Sequence, residues 1–293
     1  MIEIKGLSKS YGTLSVLENL NLKIETGSIF GLVGINGSGK STLLRLMAGV
    51  YQGDTGVVLY DGEDVFDNPQ VKKEIFFLPD DPFYTFNSKG ADLVEYYKTF
   101  YQFDDQSFKE LIDAFKLPLH KTINNFSKGM KRQLFIALAM ATKPKYLLLD
   151  EAFDGLDPLA RLALKRQLIA LTVDHQSTIV ISSHSLRELE DICDSYGIID
   201  HREIINFGEV ERLMEQIHKY QLAFKDPVEE TLFAGLEILS LLIEGRIVKI
   251  VLRGGEKETL EQLKALKPLL IETMTLSFEE FFIHEVESRG YLK

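Results

Sequence analysis

One run of eight residues constrains the fold of this chain more than any other: GINGSGKS, from Gly34 to Ser41. It fits the pattern G-x-x-x-x-G-K-[ST], which occurs where a strand turns sharply into a helix. An apolar segment, Ile29 to Val33, precedes it, and a helical pattern from Thr42 to Ala48 follows and ends at Gly49. This order predicts a loop at a helix N-terminus whose backbone N–H groups converge on phosphate oxygens.

Each residue type in this loop has a physical role in holding the phosphates of ATP. Glycines let N–H groups converge, Lys40 supplies positive charge to the β- and γ-phosphates, and Ser41 can ligate Mg²⁺. A glycine-rich turn that contains Lys and Ser by chance is the alternative, and it is expected in about one chain in a hundred of this length. The glycine order also fails the template of dinucleotide sites. The predicted nucleotide contacts are Gly34, Asn36, Gly37, Ser38, Gly39, Lys40, Ser41 and Thr42.

The composition narrows the classes of protein to consider. With 293 residues, of which 45% are hydrophobic, the chain can bury a core and has about the length of two domains. Its net charge of −11 argues against a polyanion as the main partner, so no nucleic-acid partner is expected. A single cysteine, Cys193, rules out an intramolecular disulfide.

Neither a secretory leader nor a membrane span is predicted. Residues Met1 to Lys5 lack the charged-then-apolar order of a leader. The longest apolar stretches, such as Glu237 to Leu252, are interrupted by charged residues well short of the roughly 18 residues that a span needs. We therefore expect a cytoplasmic protein that meets any membrane process through a partner protein at the inner face of the membrane.

The first two thirds of the chain alternate strand and helix patterns, which is typical of an α/β fold. Continuous apolar runs of the kind found in buried parallel strands are Ile29–Val33, Ile75–Leu78, Tyr146–Asp150 and Thr178–Ser182. By contrast, Leu20, Leu22 and Ile24 alternate with polar residues, as in a half-exposed strand. We expect a mixed sheet.

Between Phe83 and Pro144 the pattern changes to helices rich in aromatic residues. Phe108, Leu111, Ile112 and Phe115 have the spacing of one apolar helix face, which favours a packed helical subdomain over a ligand pocket. The predicted subdomain covers about residues 84–143 of a nucleotide-binding domain at 1–215.

The last quarter of the chain predicts a small α+β C-terminal domain at residues 220–293. The polar run from Glu209 to Lys219 is interpreted as a linker helix. Beyond it, strand patterns surround a turn at Gly245 and alternate with helical patterns. The predicted elements are a strand at Ile247–Leu252, a helix at Glu256–Leu266, a strand at Leu270–Leu276 and a helix at Phe278–Ser288.

A second polar feature ends the apolar run that begins at Tyr146: the carboxylate pair Asp150 and Glu151. The carboxyl end of a strand in such a sheet faces the ligand crevice. Asp150 is therefore a candidate for the magnesium shell, and Glu151 for polarising the attacking water. On its own the pair is equally compatible with a helix cap or a surface turn. The loop at Gly34 favours the magnesium site.

Together these motifs resemble the ATP-binding subunits of ATP-binding cassette (ABC) transporters over about residues 1–215. Beyond the loop and the carboxylate pair, the resemblance rests on the segment NFSKGMKRQ from Asn125 to Gln133, which looks like the signature usually read Leu-Ser-Gly-Gly-Gln. Gly155–Pro158 looks like the family's D-loop, and His184 matches its switch histidine. Tyr11 stands where the family stacks an aromatic ring on adenine. The fold thereby implied is a P-loop NTPase with an ABC-type helical subdomain.

The resemblance also implies a head-to-tail dimer with a second copy or a paralogous subunit. Ser127 is a good N-cap, and the helix start beyond it can direct N–H groups at an anion. Lys128, Lys131 and Arg132 crowd this end against the helix macrodipole, a conflict that a bound anion would offset. In the family this anion is the γ-phosphate held by the other subunit, which assigns Ser127 and Gly129 to nucleotide binding.

For His184 the alternative is a histidine bonded within its own loop. Its position one step past a predicted strand, in register with the other motifs, favours the family role instead. By resemblance, His184 contacts the γ-phosphate and holds the water and Glu151 in line.

Three positions depart from the family pattern. Asp80 replaces the usual Gln, so it can still ligate Mg²⁺ beside Ser41 and Asp150 but cannot donate a hydrogen bond as an amide can. Lys128 and Met130 replace Gly and Gln in the signature. Such departures, with a short C-terminal domain, resemble the branch in which a separate transmembrane permease subunit exports drugs, peptides, lipids or polymers.

The expected function is therefore an ATP-hydrolysing subunit that drives an exporter. Two alternatives stay open: a nucleotide-gated regulatory ATPase with little turnover, and a soluble ATPase of the same fold that serves no transporter. Phe83, Tyr84 and Phe86 are candidates for lining the groove that receives a short coupling helix of the membrane subunit. Ordinary packing of the subdomain explains these aromatics equally well.

Overall fold

The computed structural model describes residues 1–209 and 215–288. Its contacts divide the chain into two compact units, Met1–Gly208 and Glu209–Lys293. Each unit has its own buried cluster of apolar side chains. Across the described ranges, no helix combines the length and the apolar character needed to cross a membrane.

The first unit contains two sheets, whose strands in chain order are β1 (Ile2–Tyr11), β2 (Leu14–Ile24), β3 (Ile29–Val33), β4 (Thr55–Tyr60), β5 (Glu63–Asp64), β6 (Ile75–Leu78), β7 (Tyr146–Leu149), β8 (Thr178–Ser183), β9 (Ser195–Asp200) and β10 (Glu203–Glu209). One sheet has the order β2-β1-β4-β5 and is antiparallel. The other has the order β10-β9-β3-β8-β7-β6, in which β9, β3, β8, β7 and β6 are parallel neighbours.

This topology places the glycine-rich loop and the carboxylate pair together at the carboxyl end of the parallel strands. Every residue of β3 and β7 is buried, because helices cover a parallel sheet on both faces. The half-exposed alternation at Leu20, Leu22 and Ile24 is present, but in the separate antiparallel sheet. Strand β8 lies between β3, which leads into the glycine-rich loop, and β7, which leads into the carboxylate pair. The predicted α/β fold with mixed strands is confirmed.

The helices of this unit are α1 (Lys40–Met47), α2 (Pro69–Lys72), α3 (Gly90–Phe100), α4 (Asp105–Phe115), α5 (Lys128–Ala141), α6 (Pro158–His175) and α7 (Leu186–Leu189). Helix α4 packs on α5 and buries Phe108, Leu111 and Ile112. The exposed aromatic residues of this region include Phe83, Phe86, Tyr96 and Phe100, whereas others pack internally. For example, the Tyr97 ring stacks on Phe76 of β6 with 5.4 Å between ring centroids.

The described residues 215–288 of the second unit form an antiparallel sheet with two α-helices. Its elements are β11 (Ile217–Ala223), β12 (Ile238–Glu244), β13 (Ile247–Arg253), α8 (Glu256–Ala265), β14 (Leu270–Met274) and α9 (Phe278–Ser288). The strand order is β12-β13-β11-β14. Tyr220, Leu222, Ile250 and Leu263 are fully buried in its core.

The predicted linker helix from Glu209 to Lys219 is wrong where the structure describes it. Strand β10 runs through Glu209 and β11 begins at Ile217, while residues 210–214 lie outside the described ranges. The polar composition suggested a solvated helix. Pairing of β11 with β13 and β14 on both of its edges outweighs this local preference, because it satisfies the strand's backbone hydrogen bonds.

Candidate nucleotide site

The glycine-rich loop leaves β3 at Val33 and enters α1 at Lys40. Gly37 and Gly39 have φ angles of 83° and 110°, which only glycine adopts without strain. A side chain at Gly34 would place its Cβ 2.9 Å from the carbonyl oxygen of Ile199. The sequence therefore needs glycine at these positions to make a tight turn with exposed residues at its tip, including Asn36.

Lys40 lies inside this turn rather than in solvent. Its Nζ donates to the carbonyl oxygens of Gly34 at 2.6 Å and Ile35 at 3.3 Å, and lies 3.3 Å from the Glu151 carboxylate. The nearby Ser38 Oγ is buried without a hydrogen-bond partner among the described residues. A buried ammonium group and an unpartnered hydroxyl fit a site for phosphate oxygens.

Asp150 follows β7 and is fully buried. Its Oδ1 accepts a hydrogen bond of 2.7 Å from the Ser182 hydroxyl, whereas its Oδ2 is buried with no partner in the described part of the chain. A buried carboxylate oxygen without a donor is costly unless a cation lies against it. Asp150 therefore fits a Mg²⁺ ligand. Ser41, the other candidate from the loop, is half-buried in the first turn of α1, and Thr42 is buried beside it.

Glu151 is held between Lys40 and His184. Its Oε2 lies 2.9 Å from His184 Nδ1 and accepts from the His184 backbone N–H at 3.3 Å. Glu151 itself adopts the left-handed conformation, with φ at 48°. The His184 ring thus bonds a residue 33 positions away and not a group in its own loop, as the alternative would require. A carboxylate fixed in this way can accept a proton from a water molecule at the site.

The signature segment begins α5 and contacts the D-loop. The Ser127 hydroxyl caps the helix by accepting from the Met130 N–H at 3.2 Å. A Cβ added at Gly129 would lie 2.6 Å from the carbonyl oxygen of Gly155, so the two segments approach each other closely. Asp157 in turn caps α6 by accepting from the N–H groups of Leu159 and Ala160.

The positive charges at the start of α5 already have partners within the chain. Lys128 lies 2.5 Å from Asp154, and Lys131 lies over the Tyr84 ring at 5.2 Å from its centroid. The hydrogen bond from Lys128 holds the pKa of Asp154 below its usual value. The conflict with the helix macrodipole is therefore relieved by side chains, and these cations are no independent sign of a bound anion.

Asp80, expected at the metal, is engaged with a buried arginine. Its Oδ1 lies 2.5 Å from Arg132 Nη2, which also donates to the carbonyl oxygen of Asp80 at 2.8 Å. Arg132 Nη1 donates to the carbonyl oxygen of Pro79 at 3.1 Å. A weaker contact of 3.5 Å reaches the carbonyl oxygen of Asp150. Arg132 thus occupies one of the two carboxylate oxygens of Asp80.

Sequence reasoning missed the roles of Arg132 and Ser182. The sequence groups Arg132 with the cations that crowd the start of α5, whereas the structure buries it, 3% exposed, against Asp80. The signal for Ser182 was weak: two serines at the carboxyl end of an otherwise apolar strand.

Tyr11 ends β1 with its ring 45% exposed and in edge-on contact with Tyr51, at 6.2 Å between centroids. It is accessible for stacking against a base.

Among the three aromatics near Asp80, Phe83 and Phe86 are 87% and 79% exposed, whereas Tyr84 packs on Phe135. An open groove of about 520 Å³ lies on the same unit, and its lining includes Lys72, Lys73, Tyr96, Tyr97, Phe100 and Tyr101.

Comparison with known proteins agrees with these motifs. Residues 17–154 match the family model described as ABC transporter. The ABC transporter ATP-binding protein YtrB of Bacillus subtilis is 32% identical over 285 residues, which cover 97% of both chains. The lantibiotic transport ATP-binding protein SrtF of Streptococcus pyogenes is 31% identical over 77% of this chain and 99% of its own.

A solved structure of an ATP-binding subunit of an ABC transporter superposes with a TM-score of 0.65 at 26% identity, covering 73% of this chain and 93% of its own. The resemblance seen in the sequence is confirmed. Since the relatives in this family bind ATP, and identity to YtrB extends over almost the whole chain, the nucleotide site belongs to an ATPase. This chain is a member of the ABC transporter family, as its ATP-binding and ATP-hydrolysing subunit.

Proposed function

We propose that this chain is the motor subunit of an exporter whose transmembrane part is a separate polypeptide. ATP would close a head-to-tail dimer, and its hydrolysis would reopen it. The observation that carries this proposal is the placement of Glu151 between Lys40 and His184, 3.3 Å and 2.9 Å away, beside the unpartnered oxygen of Asp150.

In the proposed site the phosphates of ATP lie on the loop from Gly34 to Thr42. Lys40 exchanges its contacts with Gly34 and Ile35 for the phosphate oxygens, which its buried ammonium group favours. Mg²⁺ held by Ser41 and Asp150 would supply positive charge against the β- and γ-phosphate oxygens. Asp80, the third residue expected at the metal, is proposed to act chiefly as the partner of Arg132, to which its Oδ1 lies at 2.5 Å. Tyr11 is the proposed platform for adenine.

For hydrolysis, Glu151 orients the attacking water and accepts its proton as the bond to the γ-phosphorus forms and the bond to the bridging oxygen breaks. His184 keeps the carboxylate in place through its ring and its backbone N–H. These are roles in positioning and charge, which supply most of the catalysis in phosphoryl transfer.

The proposed dimer uses Ser127 and Gly129 as the contact to the γ-phosphate bound by the opposite subunit, a second copy or a paralogue. Glycine at 129 lets the signature pack closely on the D-loop, because an added Cβ would lie 2.6 Å from the Gly155 carbonyl oxygen. We propose that the backbone N–H groups at this helix start bind the oxyanion of the opposite subunit.

The proposed contact with the membrane subunit is the exposed pair Phe83 and Phe86, together with the aromatic groove beside Lys72 and Lys73. Exposed apolar side chains that lie together mark protein interfaces, whereas single ones are normal on a protein surface. The lysines suit a short helix that carries an acidic residue. This contact would place the chain at the cytoplasmic face of the membrane, and the name of SrtF, lantibiotic transport, supports export.

Copurification with a candidate transmembrane subunit tests the proposed interface. We expect Phe83→Ser combined with Phe86→Ser to abolish copurification and leave ATP hydrolysis by the isolated subunit unchanged. Leu269→Ser, which alters a similarly exposed side chain in the second unit, is the control. Unchanged copurification of the double variant would assign the two aromatics to ordinary surface positions.

A further inference from the structure

Ser182 occupies the position in β8 that touches both carboxylates of the site. Strand β8 lies between β3 and β7, and Ser182 pairs in register with Leu32 of β3. The side chain is fully buried, its Oγ donates to Asp150 Oδ1 at 2.7 Å, and it accepts from the Glu151 N–H at 3.0 Å. We propose that Ser182 is a positioning residue that aims Asp150 at the metal and fixes the backbone turn of Glu151.

The first half of this role follows from the two oxygens of Asp150. Ser182 is the side-chain donor to Oδ1, while Oδ2 is buried and receives no hydrogen bond in the described structure. The hydroxyl thereby fixes the rotation of the carboxylate, so that Oδ2 is the oxygen left for a cation. Outer-shell hydrogen bonds of this kind orient metal ligands and tune their affinity.

The second half concerns the turn that aims Glu151. The left-handed region is unfavourable for a non-glycine residue, so a φ of 48° at Glu151 has to be stabilised by its surroundings. The Glu151 N–H donates into the Ser182 oxygen, whose hydrogen is already committed to Asp150. One hydroxyl therefore uses both its donor and its acceptor capacity to set the two carboxylates.

A purely structural serine lies nearby and provides the comparison. Ser177, one residue before β8, is also fully buried and donates to the carbonyl oxygen of Pro144 at 2.7 Å. It is as buried as Ser182, and its hydroxyl likewise donates one hydrogen bond, but it has no contact with Asp150 or Glu151 among the described residues. Loss of either hydroxyl should lower stability, whereas only loss of Ser182 should alter the response to Mg²⁺.

The test compares Ser182→Thr with Ser182→Val, because threonine and valine have nearly the same shape and only threonine keeps the hydroxyl. Ser177→Ala and the unaltered protein are the controls. Equilibrium binding of a fluorescent non-hydrolysable ATP analogue is measured against Mg²⁺ concentration and in EDTA, together with phosphate release from ATP. We expect Ser182→Val to raise the half-saturating Mg²⁺ concentration about tenfold and to lower kcat. Affinity in EDTA stays unchanged, and Ser182→Thr and Ser177→Ala behave as the unaltered protein.

The inference rests on the proposed Mg²⁺ site, and the two can fail separately. If Mg²⁺ has no effect on binding by the unaltered protein, the proposed metal site itself is wrong. If Mg²⁺ strengthens binding but Ser182→Val and Ser182→Thr share one half-saturating concentration, the role of Ser182 is overturned and the site stands. Should the Val variant not fold, Ser182→Ala compared with Ser182→Thr gives the same contrast.

Discussion

The Asp80 carboxylate and the Arg132 guanidinium form an ion pair of 2.5 Å between the end of β6 and the second turn of α5. Arg132 is buried and also reaches the backbone of Pro79 and Asp150. One side chain thus connects the helix that begins with the signature to the ends of β6 and β7. Movement of that helix when the proposed dimer closes would therefore shift both Asp80 and the proposed metal site.

This pairing predicts the outcome of Asp80→Asn. Because the carboxylate neutralises Arg132, we expect the variant to leave the half-saturating Mg²⁺ concentration of ATP-analogue binding within about twofold of the unaltered protein. Asp150→Asn, measured alongside, should raise it at least tenfold, since it removes charge from the proposed direct ligand. An equal rise in both variants would show that Asp80 ligates the metal, as its place in the family pattern suggested.

Gly129→Ala tests the signature's part in the dimer. The added Cβ would lie 2.6 Å from the Gly155 carbonyl oxygen, closer than such atoms approach, so the segment has to shift. We expect ATP-analogue affinity of the monomer to stay within about twofold and the ATP-induced dimer, detected by light scattering, to weaken at least tenfold. Gly255→Ala is the control, because no atom lies within 4 Å of its added Cβ. A dimer as strong as that of the control would remove Gly129 from the interface.

The Lys128–Asp154 pair predicts a pH-dependent difference in stability. Lys128 lowers the pKa of Asp154 in the folded state, so its stabilisation is present above the unfolded-state value near 4 and is lost as pH falls below it. Because both side chains are largely exposed, with 63% and 45% accessible, Asp154→Asn should cost less than about 1 kcal/mol at pH 7. Urea unfolding at pH 7 and pH 3 measures the difference in unfolding free energy between the variant and the unaltered protein. A difference that is larger at pH 3 would contradict the assigned sign.

How far the sequence predicts this structure depends on the range of the interactions involved. The loop at Gly34 and the strand that ends just before Asp150 follow from local patterns: glycine conformation in one case and a continuous apolar run in the other. At residues 217–219 the predicted helix is wrong because β11 is defined by pairing with β13 and β14, which composition does not reveal.

The same limit applies within the site. Arg132 lies among cations that the sequence interprets as crowding a helix start, yet its partners Pro79 and Asp80 are more than 50 positions away. Ser182 and Asp150 are likewise 32 positions apart and meet only because β7 and β8 are neighbours. Such long-range partners become visible with the strand order. Residue types at the ends of strands predicted the carboxylates, and the side chains that orient them required the structure.

The central claim is that Glu151 performs hydrolysis in a dimer closed by ATP, and Glu151→Gln tests it most directly. Removing the charge that accepts the proton should lower phosphate release at least a hundredfold. With hydrolysis blocked, ATP and Mg²⁺ should trap a dimer that light scattering detects, whereas Glu261→Gln, an exposed position on α8, turns over normally and forms no lasting dimer. Unchanged phosphate release by Glu151→Gln would contradict the account and favour a regulatory subunit with little turnover of its own.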